Sequence, residues 1–389
     1  MLTLLKNAAV YTPDPIGHQD LLVAGGRIVQ VAPKIELTVT GCPMCEFDLD
    51  GAIVTPGLVD QHVHLLGGGG EGGPATMTPE ANLSDLTTAG VTTVIGCLGT
   101  DGIARHVDSL LAKARALIQE GVSAFILTGA YQVPPPTVTG KIMSDIMLLE
   151  QVIGVGEIAI ADHRSAQPTR DELARIAAEA RVGGMLAGKG GKVTLHVGAG
   201  ASGLEILFDI ISNTAIPVEQ FVPTHMARNP EVLEWAVKFG LAGGYVDLTA
   251  SETEGDYPTV GQAVARLLEA GVSPNKVTIS SDGNGSLPKF NSAGVLQGME
   301  VGKVSALTQT FRGLVQQYGF PLETALKAVT RNVAECHHLH GKGRIQTDCD
   351  ADLVVFDQNL EVLHVMARGR WMVRDKKPVV LGTFEKRNG

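Results

Sequence analysis

The sequence LVDQHVHLL (58–66) joins a short apolar run to two histidines, His62 and His64. Its length and composition predict a buried parallel strand, because a strand covered on both faces is apolar along nearly its whole length. Residues two apart on a strand project to the same side, so the two imidazoles point the same way. They can therefore reach a single metal ion beside the end of this strand.

Runs of the same kind recur along the central part of the chain. Helical stretches such as DSLLAKARALIQEG (108–121) and RDELARIAAEARVGG (170–184) separate several of them. The eight predicted strands are 58–66, 91–99, 123–131, 153–162, 192–199, 220–226, 244–250 and 276–283. Alternation of strands and helices on this scale predicts an α/β fold, a (β/α)8 TIM-like barrel over residues 56–335. In such a barrel the chemistry takes place at the carboxyl ends of the strands.

The two ends of the chain have a different texture. Residues 1–55 and 336–389 contain short runs of alternating apolar and polar residues, punctuated by glycine, aspartate and proline. This pattern predicts strands and tight turns rather than helices. We expect both ends to pair into one small β domain, a β-sandwich, beside the barrel.

The overall composition argues against several classes of partner. The 389 residues contain 31 Lys and Arg against 41 Asp and Glu, a formal net charge of −10. That balance argues against nucleic acids and anionic membrane surfaces, which attract cationic proteins. No apolar run reaches the ~18 residues of a membrane span, and no basic segment precedes the first apolar one. Five cysteines make no disulfide framework, so we predict a cytoplasmic protein.

The ends of the predicted strands carry further metal-binding side chains. Glu157 lies in the fourth strand and His196 in the fifth, while His225 and Asp282 lie at the ends of the sixth and the eighth. Imidazole and carboxylate ligands together suit Zn²⁺ or a similar divalent ion. We therefore predict a metal site at the mouth of the barrel. Its six residues are His62, His64, Glu157, His196, His225 and Asp282.

This pattern resembles the amidohydrolase superfamily of metal-dependent hydrolases. The shared features are H-x-H on the first strand, a bridging group on the fourth, histidines on the fifth and sixth, and aspartate on the eighth. Within the superfamily the chain is similar to the isoaspartyl (β-aspartyl) dipeptidases. The stretches that carry this likeness are HVHLLGGGGEGGP (62–74), LGTD (98–101), LTGAYQVP (127–134), DHRSAQP (162–168), PTHMARN (223–229) and SSDGNGS (280–286).

The resemblance implies an enzyme that hydrolyses β-aspartyl dipeptides with two divalent metal ions, zinc being the chemically favoured choice. A metal-bridging hydroxide would attack the amide, with Asp282 as general base and then as general acid. Members of this family commonly bridge the two ions with a carboxylated lysine, whereas this chain has Glu157 at that position. Gly154 and Gly156 precede it and would let the backbone come closer, as the shorter side chain requires.

The resemblance also implies how the dipeptide is bound. Glu71 would bind its α-ammonium group, and Arg164 and Arg228 would bind carboxylates through their forked guanidinium groups. Tyr131 would donate a hydrogen bond to the carbonyl oxygen as negative charge develops there. The expected substrate-binding residues are Glu71, Thr100, Tyr131, Arg164, Arg228 and Ser286. The family likeness further implies a homo-oligomer, with an octamer as the suggested assembly.

Two other interpretations stay open. The metal residues alone also fit a dihydroorotase- or hydantoinase-like enzyme, a deaminase or an N-acyl amino acid deacylase. A nucleotide-binding oxidoreductase is the more remote alternative, because G-x-G-x-x-G occurs at glycines 68, 70 and 73 and again at glycines 198, 200 and 203. In a chain with 47 glycines such matches arise by chance, and both follow a predicted metal histidine.

Overall fold

The computed structural model describes residues 2–38, 40–250, 259–290 and 296–386. Within these ranges the strands are β1 (Leu2–Tyr11), β2 (Pro15–Ala24), β3 (Arg27–Ala32), β4 (Met44–Asp48), β5 (Ile53–Pro56), β6 (Leu58–Val63), β7 (Val91–Gly96), β8 (Ser123–Thr128), β9 (Val152–Ile160), β10 (Lys192–Val197), β11 (Phe221–Thr224), β12 (Val246–Thr249), β13 (Val277–Ser280), β14 (Ser286–Phe290), β15 (Leu296–Val301), β16 (Leu353–Phe356), β17 (Val362–Ala367), β18 (Arg370–Arg374) and β19 (Lys377–Pro378). The α-helices are α1 (Leu83–Thr88), α2 (Val107–Glu120), α3 (Ile142–Leu148), α4 (Arg170–Ala187), α5 (Glu205–Asn213), α6 (Pro230–Leu241), α7 (Val260–Glu269), α8 (Ala306–Gln316), α9 (Leu322–Val329) and α10 (Arg331–Cys336).

Capping side chains determine where the longer helices begin. The Thr169 hydroxyl accepts from the Glu172 N–H, and the Glu172 carboxylate accepts from the Thr169 N–H, so a capping box begins α4. The helix ends at Gly188, whose φ of 67° is left-handed. Asn229 caps α6 in a similar way, with Pro230 in the first turn. Among the described residues, no helix has both the length and the apolar character needed to cross a bilayer.

All eight strands predicted for the central part of the chain are present, as β6 to β13. β6 to β11 form one parallel sheet in sequence order, and β12 pairs in parallel with β13. One hydrogen bond on each side of the β12–β13 pair connects it to the larger sheet. The Met226 N–H donates to the Asp247 carbonyl at 3.1 Å, and the His64 N–H donates to the Gly283 carbonyl at 2.8 Å. The last predicted strand therefore lies beside the first.

Apolar side chains cover both faces of these strands. Val63 and Val94 pack in the largest core together with helix residues. Ile95 and Leu127 belong to a second core, which includes Val333 of α10. Burial on both faces explains why the sequences of the strands are nearly continuous apolar runs.

Strands from both ends of the chain form one nine-stranded sheet. Its order is β19-β18-β17-β16-β5-β1-β2-β3, with β4 also paired to β1. The two ends meet where β5 pairs antiparallel with β16, Val54 opposite Val355. Leu5, Leu21 and Met366 are among the residues of a core of its own. The architecture is thus mixed α/β with a separate β-rich sheet, while the domain boundaries inferred from the sequence stay a prediction.

One element is absent from the sequence-based prediction. β14 and β15 form an antiparallel hairpin, with Ser286 opposite Val301, where the sequence predicts no strand. The hairpin follows Asp282 closely, so it determines where Ser286 lies relative to the candidate site.

Candidate active site

The six residues predicted to bind metal lie together at one end of the parallel strands. His62 Nε2 lies 3.2 Å from Glu157 Oε2, and His64 Nε2 lies 3.0 Å from Asp282 Oδ1. All six side chains are buried or nearly so; the Asp282 side chain, at 15%, is the most exposed. Each comes from a different strand end except the histidine pair on β6, as the sequence predicts.

Glu157 lies at the centre of this group. Its Oε1 atom is 3.1 Å from His196 Nδ1 and 3.2 Å from His225 Nε2, whereas its Oε2 atom faces His62. In two sets of residues all ligand atoms lie within 4.8 Å of one another: Glu157, His196 and His225, and His62, His225 and Asp282. The two carboxylate oxygens of Glu157 thus face different histidines, which is the arrangement a bridging ligand needs.

Several buried polar atoms of this group make no hydrogen bond. They are His62 Nε2, His64 Nδ1, Glu157 Oε2 and Asp282 Oδ1. A buried polar atom without a partner costs about 1–3 kcal/mol, and such atoms are rare in folded proteins. Divalent cations would satisfy nitrogen and carboxylate atoms of this kind, so the donor set fits a metal centre.

The charges of the group also suit a cation. Burial alone would raise the pKa of Glu157, but the nearby His62 and hydrogen bonds from His196 and His225 hold it well below its ordinary value. Burial lowers the pKa of His62 and the Glu157 charge raises it, with a net rise. Burial and the nearby Arg228 lower the pKa of His225 to about 3, which keeps this imidazole neutral. The site therefore combines an ionised carboxylate with a neutral imidazole ligand.

A bulge in β9 brings Glu157 to the site. The pairing of β9 with β10 shifts register between Val155 and Ile158. Gly156, inside the bulge, has a φ of 150°. A Cβ atom on either Gly154 or Gly156 would lie 2.6 Å from a backbone oxygen of β10. The two glycines therefore allow the close approach that the sequence predicts for the shorter bridging side chain.

Further side chains hold two of the histidines in place. Asp162 Oδ2 lies 3.0 Å from His196 Nε2, and Thr249 Oγ1 lies 2.7 Å from His225 Nδ1. Partners of this kind fix the tautomer and the orientation of metal-binding imidazoles. Asp162 also accepts two hydrogen bonds from the Arg164 guanidinium and one from the Arg164 backbone N–H. Sequence reasoning assigns no role to Asp162 or Thr249, since only the fold places them behind the histidines.

Four of the predicted substrate residues form a polar cluster beside this group. Glu71 accepts hydrogen bonds from Thr100 Oγ1 at 2.9 Å, Arg164 Nη1 at 3.1 Å and Ser286 Oγ at 3.4 Å. Burial raises the pKa of Glu71, but hydrogen bonds and the Arg164 charge outweigh it and lower that pKa overall. The cluster thus presents one negative and one positive charge next to each other.

The other two predicted substrate residues lie beside the metal-binding histidines. The Tyr131 hydroxyl is 2.6 Å from His196 Nδ1, and the Arg164 guanidinium lies 5.4 Å from the centre of the Tyr131 ring. Arg228 Nε donates to the Val197 carbonyl at 3.1 Å, next to His196. All residues singled out from the sequence are therefore near one another, and their individual roles stay a proposal.

Cys97 lies in the same place, although the sequence-based prediction gives it no function. Its Sγ atom and ligand atoms of His62, His64 and Glu157 all lie within 4.8 Å of one another. The thiol is buried. Its position near the end of the predicted strand 91–99 is the only signal in the sequence that would have pointed to it.

The fold and this cluster of histidines and carboxylates define a metal-dependent hydrolase of the amidohydrolase family, to which the chain belongs. The Amidohydrolase family model matches residues 257–372. Over 99% of both chains the protein is similar to a solved structure of the β-aspartyl dipeptidase from Fervidobacterium islandicum AW-1, with 46% sequence identity and a TM-score of 0.93. That enzyme was solved in complex with the dipeptide β-Asp-Leu. The likeness to amidohydrolases and to β-aspartyl dipeptidases predicted from the motifs is thereby confirmed.

More distant relatives have other activities. The imidazolonepropionase of Paracoccus denitrificans (strain Pd 1222) is 25% identical, over 92% of this chain and 94% of that protein. A D-hydantoinase from a Bacillus sp. AR9 is 18% identical over 98% of this chain and 97% of its own, with a TM-score of 0.67. At that identity the likeness shows a shared fold alone. The identity to the dipeptidase is far higher than to either relative.

Proposed function

We propose that the chain hydrolyses β-aspartyl dipeptides, with the isoaspartyl residue at the amino end, in a metal-dependent reaction. The observation that carries the proposal is the Glu71–Arg164 pair beside the metal-binding group. A β-aspartyl dipeptide carries an α-ammonium and an α-carboxylate next to each other, so this pair is complementary to it in charge. The 46% identity to a dipeptidase solved with β-Asp-Leu supports the same substrate.

We assign the metal-binding group to two divalent ions, with zinc favoured by its mixed nitrogen and oxygen donors. His62, His64 and Asp282 would hold one ion, His196 and His225 would hold the other, and Glu157 would join them. Such a pair acts as a Lewis acid and lowers the pKa of water bound to it. The unsatisfied atoms of His62, Glu157 and Asp282 support this assignment.

Asp282 acts in this proposal as general base and then as general acid. Its Oδ1 atom lies 3.0 Å from His64 and makes no hydrogen bond, so it can accept the proton of the attacking water. Burial raises the pKa of Asp282, but the nearby His62 and His64 lower it by more, so the net shift is downward. The carboxylate is therefore ionised before the reaction. The same carboxyl group then gives the proton to the leaving amine.

Tyr131 would stabilise the carbonyl oxygen as it becomes negative. Burial raises the pKa of Tyr131 well above its ordinary value, so the hydroxyl keeps its proton and can donate it in a hydrogen bond. Its position next to His196 places the hydroxyl beside the metal-binding group.

Glu71, Arg164 and Arg228 would recognise the charges of the dipeptide. The α-ammonium would replace Arg164 as the partner of Glu71, while Thr100 and Ser286 keep that carboxylate in place. Arg164 would then bind one substrate carboxylate and Arg228 the other. A ligand without the ammonium group would leave the Glu71 carboxylate next to a second carboxylate with no positive charge between them, which disfavours an N-acyl amino acid deacylase.

The alternatives within the family differ from this proposal by their substrates, so an assay separates them. Metal-loaded protein is tested on β-Asp-Leu, α-Asp-Leu, a hydantoin and an N-acetyl amino acid. We expect turnover of β-Asp-Leu only. Turnover of a cyclic amide or of the N-acetyl compound without turnover of β-Asp-Leu would overturn the proposal.

The structure offers little support for the dinucleotide-binding alternative. A Cβ atom on Gly198 or Gly200 would lie 2.3 Å or 2.6 Å from the Ala161 carbonyl oxygen. Both glycines therefore have a packing reason to be glycine, since their loop touches the backbone at the end of β9. A bound nucleotide is not needed to explain them.

We further infer that β6 to β13 close into a (β/α)8 barrel and that the terminal sheet folds over its own core as a sandwich. Hydrogen bonds at both sides of the β12–β13 pair support closure. We keep the cytoplasm as the proposed location, consistent with the buried free thiols of Cys97 and Cys336.

A homo-oligomer is proposed as well, supported by an apolar surface on α3 and α4. Leu148, Met185 and Leu186 are 69%, 70% and 62% exposed, and Met147 and Val182 are exposed beside them. Residues three and four apart on α4 share one face, and α3 packs on α4. We call these five residues the α3–α4 patch. Exposed apolar side chains grouped in this way are typical of protein interfaces.

A further inference from the structure

Cys97 occupies a position from which its thiol can reach the metal-binding group. It directly follows β7, and its N–H donates to the Val63 carbonyl at 3.1 Å. Val63 pairs with Gly96 in the parallel ladder between β6 and β7. Side chains alternate along a strand, so Cys97 points to the same side as His62 and His64, which flank Val63.

The surroundings of the Cys97 sulfur are those of a ligand rather than of a core residue alone. Its contact with the Val63 carbonyl, at 3.9 Å, is a weak one for a thiol, and the His62 imidazole lies within hydrogen-bonding reach of it. Ligand atoms of His62, His64 and Glu157 lie within 4.8 Å. Each of these three neighbours has a buried polar atom with no hydrogen bond. A divalent ion that satisfies these atoms would also lie within reach of the sulfur.

We propose that the Cys97 thiolate is a further ligand of the metal ion held by His62 and His64. The inference rests on the proposed metal centre, to which it adds a ligand outside the six residues predicted from the sequence. On metal binding the thiol loses its proton to solvent, and a sulfur lone pair forms the bond to the ion. A sulfur ligand favours zinc, cadmium and cobalt over manganese and magnesium.

The direct test is the ligand shell of the metal itself. X-ray absorption on the zinc-loaded protein should show a sulfur neighbour at about 2.3 Å. The cobalt-loaded protein should show a thiolate-to-cobalt charge-transfer band in the near ultraviolet. Both signals should vanish in Cys97→Ala and in Cys97→Ser, and zinc affinity should fall at least about tenfold, as it does when even an outer partner of a ligand is lost.

A matched control is available in Cys336, a fully buried thiol that is not part of the metal-binding group. Cys336→Ala removes a buried sulfur elsewhere and should leave both signals in place. Proton release offers a second readout, because the fully zinc-loaded wild type should release one more proton per protein molecule than fully loaded Cys97→Ala. This readout does not depend on activity.

The outcomes separate this inference from the proposed function. A protein that cleaves β-Asp-Leu but shows only nitrogen and oxygen around zinc would overturn the role of Cys97 and leave the dipeptidase assignment intact. A sulfur neighbour of zinc in a protein that cleaves only another amide would support the role of Cys97 and overturn the dipeptidase assignment. Because the wild-type spectrum decides the first point, the inference stays testable even if a Cys97 variant does not fold.

Discussion

Gly156 lies so close to Thr194 that a Cβ atom on it would be 2.6 Å from the Thr194 carbonyl oxygen. At this point Val193 and Leu195 of β10 pair with Val155 and Ile158 of β9, so two residues of β9 oppose Thr194 alone. A bulge of this kind turns a side chain and shifts the backbone toward its neighbour. It places the carboxylate that follows Gly156 between the histidines.

The first prediction concerns this contact. In Gly156→Ala the added methyl group would collide with the Thr194 carbonyl, and the φ of 150° is rarely adopted by alanine. We expect a loss of about 1–3 kcal/mol of stability from the overpacking. A displaced Glu157 should also lower bound metal and reduce kcat/KM about a hundredfold, as small misplacements in active sites do. Metal analysis and kinetics on β-Asp-Leu measure both effects.

Gly188→Ala is the control for the cost of placing alanine in a left-handed backbone conformation. Gly188 also has a left-handed φ, of 67°, but a Cβ atom there would meet nothing within 4 Å. It should lose about 1–2 kcal/mol of stability from the left-handed backbone alone, and keep its metal and its activity. Full metal content and normal turnover in Gly156→Ala would show that the bulge does not position Glu157.

The second prediction separates the two roles given to Asp282. In Asp282→Asn one oxygen remains as a metal ligand, but the group no longer accepts a proton. We expect metal content to stay within about twofold while kcat falls by 10²–10⁴, the usual contribution of general acid–base catalysis. Asp162→Asn should behave differently, since Asp162 contacts His196 from behind and its loss should weaken metal binding about 10–100-fold. Equal kcat in Asp282→Asn and wild type would remove Asp282 from the chemistry.

The strands could be predicted from the sequence because burial on two faces leaves a direct signature in composition. Apolar runs predicted at 58–66 and 220–226 are the strands Leu58–Val63 and Phe221–Thr224. The ends differ by a few residues, since a strand ends where its neighbour stops offering hydrogen bonds. The glycines before Glu157 predict that the backbone can come closer to the site, but they do not predict a bulge. A bulge is a shift in the pairing of two strands, and the sequence of one strand does not determine that pairing.

What the sequence could not reveal depends on contacts across the fold. Cys97 lies outside the motifs that carry the family likeness, and Asp162 begins one of them without a role of its own. Their importance comes from lying next to His62 and His196. The β14–β15 hairpin was missed for a related reason. It is a short antiparallel pair that follows a glycine-rich loop, and its pairing partner rather than its pattern makes it a strand.

The third prediction tests the charge recognition at Glu71. Glu71→Gln keeps the hydrogen-bond acceptor for Thr100 but removes the negative charge that faces the α-ammonium. We expect KM for β-Asp-Leu to rise at least about tenfold, since charged hydrogen bonds contribute about 1.5–3 kcal/mol. N-acetyl-β-Asp-Leu, which has no ammonium group, should be a poor substrate for the wild type. Equal use of the free and the acetylated dipeptide by the wild type would contradict the role of Glu71.

The fourth prediction concerns the α3–α4 patch. Charges placed at Leu148 and Met185, as in the double variant Leu148→Glu and Met185→Glu, would oppose burial of this surface between two copies. Light scattering after gel filtration should show the wild type as an oligomer and the variant as a smaller species. Phe384→Glu is the control, since Phe384 is 97% exposed and lies outside the patch. A wild type that is monomeric would rule out the proposed assembly.

The fifth prediction concerns stability at low pH. Burial lowers the pKa of His337 to about 3, and its Nε2 atom lies 2.9 Å from Gln61 Oε1 as a neutral donor. In the unfolded chain the imidazole titrates near 6.5, so between these values the unfolded state binds the extra proton. Folding stability should therefore fall as the pH drops below about 6.5, by about 2 kcal/mol between pH 7.5 and pH 5 from this group.

His337→Gln isolates that contribution, because glutamine can donate to Gln61 but does not titrate. The variant should be less stable than the wild type at pH 7.5, since buried packing is lost, and the difference should shrink by about 2 kcal/mol at pH 5. Unfolding with saturating metal in both proteins cancels the metal-linked protons. Parallel pH profiles for wild type and His337→Gln would mean that His337 is not held neutral in the folded protein.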